Sequence, residues 1–95
     1  MSTKQAYEKK LQAKLDEWNA EIDKLKAKAN SAEADAQLEY NRQIDELRTK
    51  QNEAQKKLDE LKEASEDAWK DLKAGIENAW DSLGSSIKSA VSRFR

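Results

Sequence analysis

The last third of the chain repeats every eleven residues, and this repeat constrains the fold more than any other feature of the sequence. Trp69 and Trp80 are spaced by eleven, and so are Ala68, Ala79 and Ala90. Eleven residues make three turns of a helix with about 3.67 residues per turn. The apolar side chains therefore form one nearly straight stripe along a helix face, which drifts by only about 20° per repeat. A stripe of this kind has to be covered by another helix or by a lipid surface.

A heptad repeat is the competing description of residues 65–94. If the heptad of residues 8–61 continued into this segment, it would place Ser65, Gly75 and Ser82 in the core and leave Trp69 and Trp80 outside it. The eleven-residue period instead places the large apolar residues on one face about 120° wide. The eleven-residue repeat therefore describes this segment better, and the serines that cluster near its end are expected on its solvated face.

Residues 8–61 carry a heptad pattern instead. Their apolar residues alternate at spacings of four and three, which is the pattern of a coiled-coil seam. Gln51 occupies a core position, where it either fixes the register of the helices or marks a loosely packed stretch. The first run comprises Leu11, Leu15, Trp18, Ile22, Leu25 and Ala29, and the second comprises Tyr40, Ile44, Leu47, Ala54, Leu58 and Leu61.

The composition agrees with long amphipathic helices. The 95 residues include no proline and only two glycines. Gly75 and Gly84 lie inside the eleven-residue repeat, where they either bend the helix or allow another helix to approach closely. We predict an all-α protein with one helical coiled-coil domain over residues 1–95, divided into segments 4–29, 31–63 and 66–94.

These helices can be arranged in two ways. Continuous helices would form a rod of about 135 Å at 1.5 Å per residue, and the sequence favours such rods, associating as a coiled coil or helical bundle. Turns near residues 30 and 65 would instead give an antiparallel three-helix bundle. Asn30 with Glu33 fits a capping box, and Ser65 with the acidic residues after it fits a helix start.

The residue types present argue against catalysis. The chain has no histidine and no cysteine, so neither a histidine-assisted nucleophile nor a thiolate can be built. Adjacent carboxylates such as Asp45 and Glu46 do not converge on one substrate when they lie on a helix. We therefore expect no enzymatic activity, no cofactor, no metal site and no small-molecule substrate. The net charge of −1 also argues against a nucleic-acid partner.

No segment of the sequence has the pattern of a targeting or membrane-spanning element. Residues 1–10 lack the apolar run of a signal peptide. No stretch approaches the roughly 18 consecutive apolar residues that a membrane-spanning helix needs. We therefore expect the protein in the cytoplasm, either free or peripheral to a membrane.

Three stretches carry a resemblance to a known class of proteins, namely KLDEWNAEIDKLKAKA, EYNRQIDELRTKQNEAQKKLDELK and EDAWKDLKAGIENAWDSL. Together they cover most of the chain. They resemble the short bacterial proteins described as coiled-coil-domain proteins. The resemblance implies helical structure and a bacterial cytoplasmic setting, and it assigns no activity to any residue.

The sequence thus predicts a non-enzymatic structural protein that self-associates as a homo-oligomer through its apolar residues. The alternative is reversible binding of residues 66–95 to a membrane or another hydrophobic surface, with Lys88, Arg93 and Arg95 as a basic patch beside Phe94. The predicted interaction seam comprises Leu15, Trp18, Ile22, Leu25, Ile44, Leu47, Leu58, Leu61, Trp69, Leu72, Ile76, Trp80, Leu83, Ile87, Val91 and Phe94.

Overall fold

The computed structural model describes residues 3–94, and they form three α-helices joined by two short connections. The helices fold back on one another into a bundle that measures 51 × 20 × 18 Å. The all-α prediction is confirmed, and the arrangement is the antiparallel three-helix bundle rather than the continuous rod that the sequence favoured. The helices are α1 (Thr3–Asn30), α2 (Ala34–Glu63) and α3 (Trp69–Arg93).

The contacts between helices establish their directions. Lys4, near the start of α1, donates a hydrogen bond from Nζ to the carbonyl oxygen of Lys62 at the end of α2, at 3.0 Å. Tyr40, early in α2, stacks on Phe94 at the end of α3, with ring centroids 4.1 Å apart. Helix α2 therefore runs antiparallel to both neighbours, and α1 and α3 run parallel to each other.

The first turn lies close to the predicted position but is built differently. Asn30 is the last residue of α1 and does not cap the next helix, which begins after Glu33 without a side-chain capping bond. Gln37 instead bridges the two helices, because its side-chain amide donates to the carbonyl oxygens of Asn30 and Ala32, at 3.0 and 2.9 Å. The predicted Asn30–Glu33 capping box is therefore wrong, and an amide in the following helix satisfies the carbonyls at this turn.

The second turn lies where the sequence indicated a helix start, but Ser65 bonds within the turn and is not the N-cap of α3, which is Ala68 without a side-chain capping bond. The Ser65 hydroxyl accepts a hydrogen bond from the backbone N–H of Ala68 at 3.1 Å, and the Ser65 carbonyl accepts one from the N–H of Trp69 at 3.2 Å. Regular helix begins only at Trp69, so Glu66 lies in the turn ahead of it and Asp71 is the acidic residue of the first helical turn.

The apolar stripe of α3 faces α1 and α2, and its burial follows the eleven-residue repeat. The heptad alternative would have buried Ser65, Gly75 and Ser82, and all three are exposed. Ala68 belongs to the repeat but is exposed because it precedes the helix. Leu72, Ala79 and Val91 are partly buried against the core, and the buried residues of this segment are Trp69, Ile76, Trp80, Leu83, Ile87, Ala90 and Phe94.

The core contains apolar residues, and no polar or charged residue of the described chain is buried. Gln51 is partly buried, and its amide donates to Asn19 Oδ1 at 3.2 Å, so it makes a polar contact between α1 and α2 instead of an apolar one. The buried residues of the first two helices are Leu11, Leu15, Ile22, Leu25, Ala29, Ile44, Leu47, Ala54, Leu58 and Leu61.

Two leucines of α2 offer a matched test of this core. Leu58 is fully buried and Leu38 is 75% exposed. We expect Leu58→Ala to lower the free energy of unfolding by about 2–5 kcal/mol, since it leaves a cavity among packed side chains. Leu38→Ala makes the same chemical change on the surface and should change stability by less than about 0.5 kcal/mol. Urea denaturation followed by circular dichroism measures both, and equal effects would contradict the bundle.

Candidate interaction surface between α1 and α3

The parallel pair α1 and α3 makes the least extensive contact of the three helix pairs. An open groove follows their junction, composed of two depressions that meet at Trp18 and Gly84. Tyr7 lies at the end where both helices begin, and Val91 lies toward the opposite end. Tyr7, Trp18 and Val91 are each only partly buried. We call this surface the α1/α3 groove.

The centre of the groove depends on a glycine. The ring of Trp18 lies directly on the backbone of α3 at Gly84, where an added Cβ would stand 3.0 Å from Trp18 Cζ2. A side chain at this position would push the ring away from α3, so the glycine permits the close approach of helix and indole that was one of the two readings of the sequence. Gly75 differs, because nothing lies within 4 Å of the Cβ that it lacks.

Tyr7 links the two helices at the end of the groove where both helices begin. Its ring packs against Trp69 with centroids 5.5 Å apart, and its hydroxyl donates to Glu77 Oε1 at 3.3 Å. Partial burial raises the pKa of Tyr7, and the negative charge of Glu77 and the hydrogen bond to it raise the pKa further. Tyr7 therefore stays a neutral donor at physiological pH, and this contact fixes the axial register of α1 against α3.

Trp80 holds the two helices together beneath the groove. Its ring is 6% exposed, and its indole Nε1 donates to the backbone carbonyl of Leu11 at 3.4 Å. A buried indole needs such a partner, because an unpaired N–H in an apolar core costs free energy. The contact gives α3 a second polar anchor on α1, besides the Tyr7–Glu77 hydrogen bond.

Charges along the groove change sign partway along each helix. Helix α1 presents bases, then acids and then the base Lys24, whereas α3 presents acids and then a base. Opposite charges therefore face each other where the two helices begin, and Glu17 and Glu21 share the other part of the groove with Lys88. Lys14 and Glu17 also approach within 3.4 Å of each other, with side chains 55% and 70% exposed. The charged residues in chain order are Lys10, Lys14, Glu17, Glu21 and Lys24 on α1, and Glu77, Asp81 and Lys88 on α3.

Most of the predicted interaction seam lies inside the bundle and not on its surface. Trp18, Leu72 and Val91 are partly buried, and the other members are buried against residues of the same chain. Trp18 and Val91 line the α1/α3 groove, whereas Leu72 borders a shallow depression between α2 and α3. Tyr7 was not among the predicted residues, although its position four residues before Leu11 places it on the same helix face.

Two serines of α3 lie within reach of Lys50 in α2, on the side of the helix away from the groove. Lys50 Nζ donates to Ser86 Oγ at 2.6 Å and lies 3.5 Å from Ser82 Oγ. Ser86 is partly buried and Ser82 is exposed, so one of the serines expected on the solvated face instead contacts α2. A lysine that donates a hydrogen bond to a hydroxyl does not act as the base that activates it as a nucleophile, so this contact joins the two helices and indicates no chemistry.

Comparisons with protein-family models, curated proteins and solved structures find no match to this chain. The resemblance to bacterial coiled-coil-domain proteins therefore stays a prediction.

Within residues 3–94, no three or more acidic side chains are grouped so as to hold a metal ion. No helix of this described part is long and apolar enough to cross a membrane.

The two glycines of α3 provide a test of the groove. Gly75→Ala should raise the free energy of unfolding by about 0.5–1 kcal/mol, because alanine favours the helix and meets nothing there. Gly84→Ala gains the same helix propensity but has to displace the Trp18 ring. We expect it to be less stable than Gly75→Ala and to shift tryptophan emission to longer wavelength. Urea denaturation and fluorescence spectra measure both, and equal stabilisation without a spectral shift would contradict the described packing of Trp18.

Proposed function

We propose that this protein is a non-enzymatic structural module that works by associating with other copies of itself, in the cytoplasm or peripheral to a membrane. The observation that carries the proposal is the α1/α3 groove. It leaves Tyr7, Trp18 and Val91 partly exposed in a chain of which 39% of the residues are charged. Aromatic residues in a partly open groove are typical of protein interfaces.

The burial of the predicted seam changes how association would occur. Because α1 and α2 already cover the stripe of α3, no second chain is needed to shield it from water. Association would therefore use the outer surface of the closed bundle. Outside the groove, Leu38 is the one large apolar residue that is strongly exposed in the described chain, and a lone apolar residue on a surface does not indicate an interface.

The residue types of the chain support a non-catalytic role. It has neither histidine nor cysteine, the side chains that most often serve as bases and nucleophiles near neutral pH. Tyr7 has a perturbed pKa, but the perturbation is explained by its packing between the helices. A strongly perturbed group in a cleft is the usual sign of catalytic chemistry, and here the same contacts serve the fold.

Sedimentation equilibrium over the micromolar to millimolar range tests self-association. We expect the apparent mass to rise from monomer toward dimer or higher while the helical circular dichroism stays constant, because closed bundles associate without refolding. A monomeric mass at every concentration would contradict the proposed function. A rise in helicity together with mass would instead indicate that chains fold only on assembly.

Reversible surface binding by residues 66–95 is a second candidate, favoured by the lack, among residues 3–94, of ion pairs between α3 and its neighbours, although the apolar stripe of α3 is buried against both. Within the described chain, an ion pair of 2.9 Å between Arg48 and Asp23 joins α1 to α2, and no ion pair joins α3 to either helix. Phe94, expected to be the aromatic tip that enters lipid, is buried against Tyr40. Surface binding would therefore require α3 to leave the bundle.

The same samples mixed with anionic vesicles test this second candidate. Trp69 and Trp80 are already buried, so their emission should shift little between bundle and lipid. Quenching by brominated acyl chains is the informative readout, because it requires contact between indole and lipid. Strong quenching with anionic vesicles and weak quenching with neutral ones would favour surface binding, and no quenching at any vesicle charge would exclude it.

A further inference from the structure

We propose that the α1/α3 groove is the contact face of an antiparallel dimer of this chain, with a two-fold axis that passes close to Trp18 and Gly84. The inference rests on the proposed self-association and adds its surface, its orientation and its charge pairs. In this arrangement α1 faces α1 of the second copy and α3 faces α3.

Two pairs of groove charges are complementary under this rotation, whereas Lys24 falls between Lys10 and Lys14 of the other copy and is repelled by them. Lys14 and Glu21 lie on opposite sides of Trp18 along α1, and Asp81 and Lys88 lie on opposite sides of Gly84 along α3. Turning a second copy end over end about this centre places Lys14 opposite Glu21 of the other copy, and Asp81 opposite Lys88. Each pair occurs twice, so four opposite-charge contacts would frame the apolar centre.

The directions of the helices favour the antiparallel copy over a parallel one. Helices α1 and α3 point the same way, so their dipoles add along this face, with the positive ends together. A parallel second copy would bring like helix ends against like ends. An antiparallel copy places the positive ends of one face beside the negative ends of the other. A parallel dimer would also place opposite charges together, because Lys14 would face Asp81 of the other copy. The directions of the helix dipoles therefore decide between the parallel and the antiparallel dimer.

The size and chemistry of the face suit a stable dimer. The bundle is 51 Å long and 20 Å wide, so one side measures at most about 1,000 Å², and a second copy that covered most of it would bury the roughly 800 Å² per partner of a standard interface. Trp18 would lie at the centre, packed against the second copy, where aromatic residues contribute most to binding. The charged pairs would lie at the rim, where charges set orientation.

Charge reversal with rescue tests the proposal. Lys14→Glu and Glu21→Lys should each weaken dimerisation by about tenfold, because each places like charges opposite one another in two symmetry-related contacts. The double variant Lys14→Glu/Glu21→Lys should recover most of the wild-type affinity, since it exchanges the charges within each pair. Lys56→Glu is the matched control for Lys14→Glu, because Lys56 is exposed on α2 away from the groove and its replacement changes the net charge by the same amount.

The outcomes of this experiment are separable by sedimentation equilibrium, with circular dichroism to confirm that every variant is folded. If both single reversals leave the dimer affinity unchanged, the proposed surface is wrong, while self-association itself still stands. A dimer weakened by each reversal and weakened further in the double variant would overturn the antiparallel orientation, because it is the result expected when Lys14 faces Asp81. A wild-type chain that never dimerises would overturn the proposed function itself.

Discussion

The structure depends on burial of the apolar stripe of α3 against the other two helices. Trp69 and Trp80 are each 6% exposed, and an indole side chain buries roughly 150–250 Å². At about 25 cal/mol per Å² of apolar surface, these two residues contribute about 8–12 kcal/mol, which is comparable to the whole net stability of a small domain. Helices α1 and α2 are richer in charged residues than α3, so without α3 they would bury much less apolar surface.

The order of the helices explains why one side of the bundle remains open. Two turns make α2 antiparallel to both neighbours, and the third helix then runs parallel to the first without a direct connection to it. Their contact is the least extensive of the three, and it relies on the hydrogen bond of Trp80 to Leu11 and on that of Tyr7 to Glu77. Gly84 allows Trp18 to cover part of this junction. The aromatic groove is thus a consequence of the topology and not an addition to it.

The eleven-residue repeat was sufficient to predict which face of α3 is buried, because the spacing of apolar side chains on a helix directly determines the face that avoids water. It was not sufficient to predict what covers that face. A rod and a bundle place the same residues in contact with another helix, and they differ only at the connections. The turn after Asn30 contains neither glycine nor proline, and its carbonyls are satisfied by Gln37 from the next helix, a tertiary contact that has no local sequence signal. The groove could not be predicted for the same reason, because Tyr7 and Gly84 line it only when α1 and α3 lie side by side.

The central claim is that the stripe of α3 is covered by helices of the same chain. Spin labels at Glu39→Cys and Arg93→Cys test it directly, because both positions are exposed, each adjoins a member of the stacked Tyr40–Phe94 pair, and the native chain has no cysteine. Double electron–electron resonance on labelled chains diluted in unlabelled protein should give a distance of about 20 Å, since neighbouring helix axes lie about 10 Å apart. A distance near 80 Å, expected for a continuous helix at 1.5 Å per residue, or the loss of the short distance on dilution, would contradict the account.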